Sequence, residues 1–243
     1  MMYDHLNVRL HGPLYVKART ALDTKMQASS KAGKKSSRKP CKTLEPEEIR
    51  TIYIKSSDQI PKHITQCAFI GLGISRAARA NAEWVDETVS DLQPVMDASG
   101  EIEKFIFNPQ YSKTYNGGLD SIGHERDPTE IKRQPEVENQ KLTHFFWIDL
   151  FWKMLPDEMK SKPDAKLWWQ CKPEIDANGV GFYSNPKKVA GKETIKMMVS
   201  SAAHRCGISG HITNKSLRQV PTTLLFGVSF DQIDSAEIFK SIQ

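Results

Sequence analysis

His211-Ile212-Thr213-Asn214-Lys215-Ser216-Leu217-Arg218 is the stretch on which the reading of this 243-residue chain turns. It comes after a run, Gly191 to Cys206, in which Ile195, Met198, Val199 and Ala202 fall on one side of a helix. Gly207 closes that helix, so the octapeptide opens a new one. Two readings of Arg218 stand side by side here. One is an arginine aimed at a phosphate from a helix start; the other is an arginine solvated at an ordinary helix entry.

Upstream of the octapeptide, Lys187-Lys188 forms a basic pair after Asn185-Pro186, and Lys192 opens the helical run. Trp168-Trp169-Gln170-Cys171 reads as an extended piece and Asn178-Gly179-Val180-Gly181 as a turn. Leu142 to Met154 is the most apolar segment, carrying Phe145, Phe146, Trp147, Ile148, Leu150, Phe151 and Trp152. At about 13 residues it has the length of a buried helix, too short for a membrane span. An aromatic nucleic-acid surface is the alternative use of the same rings. Asp120 to Gln140 is polar and broken by proline, a loop around a short strand. Glu101 to Asn108 alternates in part, at Ile102, Phe105 and Phe107, and predicts a strand after a turn at Asp97-Ala98-Ser99-Gly100. Tyr111-Ser112-Lys113-Thr114 extends it, and Asn116-Gly117-Gly118 predicts a tight turn, which puts Lys113 on a β-hairpin.

Nearer the N-terminus, Ile74 to Glu83 is alanine-rich and helix-prone. Arg79 and Glu83 are four residues apart and can pair on one helix face, which is the structural reading of Arg79. Lys62 to Leu72 is apolar enough for a buried helix. Another helix should run from Thr43-Leu44-Glu45-Pro46 to about Lys55, with Thr43 as cap, Pro46 in the first turn and acids near the positive helix end. Tyr15 to Met26 has Ala18, Leu22 and Met26 at helical spacing, while Ser29 to Pro40 is rich in Ser, Lys and Gly without periodicity. The expected organisation is a helical remnant over 1–28, a basic linker over 29–42 and one main domain over 43–243. The expected class is α+β, mostly helical, with a small antiparallel sheet.

Composition narrows the function classes. The net charge is only +5, but Asp23 is the single acid between Lys17 and Lys42. That basic arm, with Lys31, Lys34, Lys35, Arg38 and Lys39, suits contact with a phosphate backbone; a solvated linker or a nuclear-import signal would use the same residues. Lys187, Lys188 and Lys192 extend the set of candidate DNA contacts. The four cysteines, Cys41, Cys67, Cys171 and Cys206, lack the close spacing of a zinc site and read as reduced thiols, so neither metal nor cofactor is expected. No apolar run of membrane-spanning length or signal-peptide pattern is present, which points to cytoplasm or nucleus.

Four segments in order resemble the catalytic domain of Crypton-type tyrosine recombinases and its transposon-derived relatives in zinc-finger MYM-type and glutamine-rich proteins. Leu22 to Lys35, with Lys25-Met26 and Lys31-Ala32-Gly33-Lys34, is similar to the end of the family's N-terminal region and linker. Arg79, Glu83 and Asp91 reproduce the family's arginine, a glutamate four residues on and an aspartate twelve after the arginine. Ser112-Lys113-Thr114 with Asn116-Gly117-Gly118-Leu119 resembles its hairpin lysine and turn. The fourth segment is the most specific: Asn185-Pro186, Gly191-Lys192-Glu193-Thr194, Ala203, Gly207-Ile208 and Thr213-Asn214-Lys215-Ser216-Leu217-Arg218, where the family reads Thr-Asn-His-Ser-Leu-Arg.

The resemblance implies a phage-integrase-like fold, double-stranded DNA as partner and a nuclear location. It also implies a site in which Arg79 and Arg218 clamp a phosphate while Lys113 protonates the leaving oxygen, as a tyrosine attacks the phosphodiester. Two departures bear on activity. Lys215 replaces the histidine, keeping a phosphate contact but losing a neutral base. No tyrosine lies beyond Tyr183, and the family's Gly-His element after the helix that Arg218 opens is absent. The expectation is a DNA-binding domain of recombinase ancestry without strand cleavage. Two alternatives stay open: a protein-interaction module among transcription or chromatin proteins, and an active recombinase whose C-terminal end is misread.

Overall fold

A computed structural model describes residues 24, 41–76, 82–108, 128–183, 185–217 and 220. The chain divides into two units, Met1–Pro40 and Cys41–Gln243, and the hydrophobic core and the sheet belong to the second. Of the expected N-terminal helix only Thr24 is described, in helical conformation; the rest of it, the basic linker up to Pro40, the Lys113 hairpin and the apolar stretch from 221 to 230 lie outside the described residues.

Helix α1 (Pro46–Lys55) begins later than the capping rule suggests. A residue preceding proline is pushed out of the helical region, so Glu45 adopts extended geometry (φ −76°, ψ 153°) and becomes the N-cap in place of Thr43. The Glu48 carboxylate accepts the Glu45 backbone N–H at 3.1 Å. Ile49, Ile52 and Tyr53 form its buried face.

Helix α2 (Pro61–Arg76) is the axis of the unit. It is one helix where the sequence suggests a break near Gly73, and every residue from Ile64 to Ile74 is buried. Burial on all sides explains its apolar composition. It packs along α4 (His144–Met154), whose N-cap is Thr143, with Oγ1 accepting the Phe146 N–H at 3.2 Å. Phe145, Trp147, Ile148, Phe151 and Met154 of α4 are buried, while Phe146, Leu150 and Trp152 are partly covered. The rings therefore go to the core. Phe69 stacks on Trp84 (centroids 4.1 Å apart) and Trp168 (5.1 Å), and Phe151 meets Trp168 and Phe182 at 5.2 and 5.5 Å. Such pairs add roughly 0.5–1.5 kcal/mol each beyond area burial.

A short helix α3 (Ala82–Asp86) leads to a three-stranded antiparallel sheet in order β1-β2-β3. Strand β2 (Ile102–Phe107) falls where alternation predicts it, and β3 (Thr129–Lys132) is a short strand within the polar 120–140 segment, as expected there. Strand β1 (Leu92–Met96) is not legible in the sequence: it is short, holds Pro94 and is a sheet edge, where a missing N–H is tolerated. Leu92 pairs with Phe107, and Phe107 with Thr129.

After α5 (Asp157–Lys160), the extended piece around Trp169 bridges to Val189 and Cys171 to Phe182, as the sequence suggests. The helix expected over 191–206 is two: α6 (Lys192–Lys196) and α7 (Met198–Arg205), parted at Met197 (φ −90°, ψ −2°). Asn214 accounts for the break, because its Nδ2 donates to the Ile195 carbonyl at 2.9 Å, an acceptor that an unbroken helix would use internally. Gly207 (φ 83°) ends α7 in a Schellman motif: its N–H reaches the His204 carbonyl at 3.0 Å and that of Ile208 reaches Ala203 at 2.9 Å. All four cysteines are free thiols.

Candidate functional site

The octapeptide before Arg218 is fastened from several directions. Thr213 Oγ1 accepts the Lys215 N–H and Ser216 Oγ accepts the Thr213 N–H, both at 3.2 Å, so two hydroxyls hold the first turn. Ser216 Oγ also donates to the Lys42 carbonyl at 2.5 Å, and Cys41 Sγ lies 3.1 Å from both hydroxyl oxygens. The Lys42 N–H reaches the His211 carbonyl at 2.9 Å. Asn214 is 2% exposed and Leu217 fully buried. Thr213, Asn214, Ser216 and Leu217 are thus committed to structure. Lys215, between them, is exposed and makes no ion pair with a described residue.

Leu217 packs on Gly73 near the C-terminal end of α2. A β-carbon built on Gly73 would stand 2.5 Å from Leu217 Cδ1 and 3.4 Å from Trp84 Cζ2. Three residues further along α2, Arg76 is 2% exposed. Its Nη1 faces Glu87 Oε1 at 3.4 Å, and its guanidinium carbon lies 5.6 Å from the Phe107 ring centre. Glu87 Oε2 accepts the Trp168 indole N–H at 2.8 Å. A charged pair at this depth holds its place through such added hydrogen bonds. Phe107 and its partner Thr129 end the two strands that flank residues 108–128.

The last turns of α2 therefore meet Leu217 and Trp84, which stand near two of the expected catalytic positions in sequence, and Phe107, at the base of the segment that holds the third. Leu217 directly precedes Arg218, Arg76 and Trp84 bracket Arg79, and Phe107 and Thr129 bracket Lys113. Arg79, Lys113 and Arg218 themselves lie outside the described residues, as do Lys31, Lys34, Lys35, Arg38 and Lys39. The Glu83 side chain, the expected structural partner of Arg79, lies outside them too.

The remaining candidates are on the surface. Lys187, Lys188 and Lys192 are exposed, and none makes an ion pair with a described residue. Lys188 Nζ lies 5.4 Å from the centre of the Tyr183 ring, a cation–π contact that steadies one of the three. Their freedom contrasts with Lys162, Lys166, Lys172 and Lys196, each held by a carboxylate.

Two features go beyond what the sequence motifs point to. Arg76 belongs to no motif, although it sits four residues after buried Leu72 and so continues a buried row of α2. Cys41 reads in the sequence as an ordinary thiol, yet it stands where the unit begins and touches the octapeptide 172 residues away. Among the described residues no group of His, Cys, Asp and Glu is arranged to hold a metal ion, and no helix is long and apolar enough to cross a membrane. No protein-family model matches the chain, and no curated protein matches it.

Proposed function

We propose that this chain is a DNA-binding domain of tyrosine-recombinase ancestry, in which Arg79 and Arg218, with Lys113 and Lys215, contact one phosphate of a DNA backbone. The supporting observation is that Leu217, the residue before Arg218, is seated on Gly73 beside Trp84, near the end of the helix that leads toward Arg79. The division of labour in the octapeptide fits the same reading: four side chains hold the turn, and Lys215 is left to solvent. The exposed Lys187, Lys188 and Lys192 are proposed as further backbone contacts. The role is binding, because in these 243 residues no tyrosine comes after Arg218 and Lys215 stands in place of histidine.

Fluorescence anisotropy with a labelled duplex tests this. Binding that weakens steeply between about 50 and 200 mM salt, as counterion release requires, supports it. Absence of binding at low salt contradicts it and favours a protein-interaction module.

A further inference from the structure

A cavity of about 270 Å³ opens between the N-terminal half of α2, the Trp169–Cys171 piece and the junction of α6 with α7. That is far above the roughly 10–15 Å³ that a single water needs and leaves room for a small bicyclic molecule. Its wall is mostly apolar, with Trp169, Met197 and Met198 as the large members. Met197 is 51% exposed, because the break between α6 and α7 turns it outward. Thioether and indole surfaces of this kind adapt to flat apolar guests.

Three polar side chains of the wall, Thr65, Gln66 and Ser201, are already hydrogen-bonded. Thr65 Oγ1 donates to the Pro61 carbonyl at 2.8 Å and lies 3.3 Å from Cys171 Sγ. Gln66 Nε2 donates to Ser201 Oγ at 3.0 Å, and Gln66 Oε1 accepts from Arg205 at 3.2 Å. The two charged groups of the lining differ. Glu193 is held by Lys196 at 3.1 Å, whereas Lys62 is exposed and makes no ion pair with a described residue. The free charge at the mouth is therefore positive.

We infer that this cavity binds a small flat apolar acid, whose ring lies against Trp169, Met197 and Met198 and whose carboxylate meets Lys62. None of the lining residues is among the proposed DNA contacts, so the two readings can fail separately.

The test is an amide-resolved NMR titration of the full chain with 2-naphthoate and, separately, with the uncharged 2-naphthalenemethanol. The expected result is saturable shifts at Gln66, Gln170, Thr194 and Ser201, with the acid binding at least threefold more tightly. Lys62→Gln, a surface change, should weaken the acid about fivefold and leave the alcohol unchanged. Thr194→Trp, also at an exposed lining position, should block both while the thermal melt is preserved. No saturable shift at these residues in the wild-type chain overturns the site. Equal affinity for acid and alcohol, or an unchanged acid affinity in Lys62→Gln, overturns the ligand class.

Discussion

Leu217 lies so close to Gly73 that no side chain fits between them: a β-carbon on Gly73 would be 2.5 Å from Leu217 Cδ1. This contact fixes Leu217, and with it the turn that carries Lys215, against the end of α2. Glycine within a helix is destabilising by roughly 0.5–1 kcal/mol relative to alanine, so its presence here reflects the close approach. Gly73→Ala should destabilise the domain by about 1–3 kcal/mol through overpacking. Leu217→Ala should also destabilise it, by about 2–5 kcal/mol through the cavity it leaves. The double variant should lose less than the sum. Urea unfolding of the four proteins measures this, and additive losses would mean the two residues do not share a contact.

Arg76 and Glu87 are both almost wholly buried, and their charges face each other at 3.4 Å. Both charges are taken out of water, and their mutual attraction offsets that cost, so Glu87→Gln should destabilise the domain by about 3 kcal/mol. Arg76→Met combined with Glu87→Gln should be milder than Glu87→Gln alone. Thermal melts in both backgrounds check it; equal losses would show that the pair is not coupled.

The elements that sequence reveals here are those fixed by local pattern. The apolar run ending at Met154 had to be buried, and Gly207 had to close a helix. What stays hidden depends mostly on contacts between distant residues. Pro46 is the exception, since it shifts the cap from Thr43 to Glu45 by a purely local clash that competes with the capping pattern. The split between α6 and α7 involves Asn214, 19 residues from the carbonyl it takes. Strand β1 exists because Leu92 finds Phe107 across the sheet, not because its own pattern alternates. At the site, the octapeptide is recognisable as a motif, but its sharing out between anchoring and exposed residues becomes visible only in three dimensions.

His144 supplies a pH signature. Residual exposure of the residue notwithstanding, burial of its imidazole beside Tyr53 Oη, 2.8 Å away, lowers its pKa from 6.5 to about 4. Between those values the unfolded chain binds a proton that the folded one refuses. Stability from this group is therefore complete above pH 6.5 and falls as the pH drops toward 4, by at most about 1.4 kcal/mol per pH unit. Urea midpoints from pH 7 to 4.5 should decline more steeply in the wild type than in His144→Gln. Parallel curves would show that His144 does not set the decline.

Thiol reactivity should separate the cysteines. Burial pushes the Cys67 thiol up to about 12 and also raises Cys171, while Cys67 and Cys206 are themselves buried. Since the thiolate is the reacting form, a thiol-specific reagent at pH 7.5 should label Cys41 first. Cys67 should react only on unfolding. Mass spectrometry after limited labelling decides this, and early modification of Cys67 would contradict the packing around α2.

The proposed binding role comes down to Arg79 and Arg218 holding one DNA phosphate. Duplex affinity at fixed low salt decides it, measured for wild type, Arg79→Ala, Arg218→Ala and the double variant, together with the salt slope of each. Each arginine should contribute about 1.5–3 kcal/mol as a charged hydrogen-bond donor, so each single variant should bind roughly ten- to a hundredfold more weakly. Because both arginines address one phosphate, the double variant should be weakened by less than the product of the single effects. Its salt slope should also fall by about one, the value for one lost phosphate contact. Wild-type binding that survives the double substitution unchanged, in affinity and in salt slope, would contradict the shared-phosphate reading.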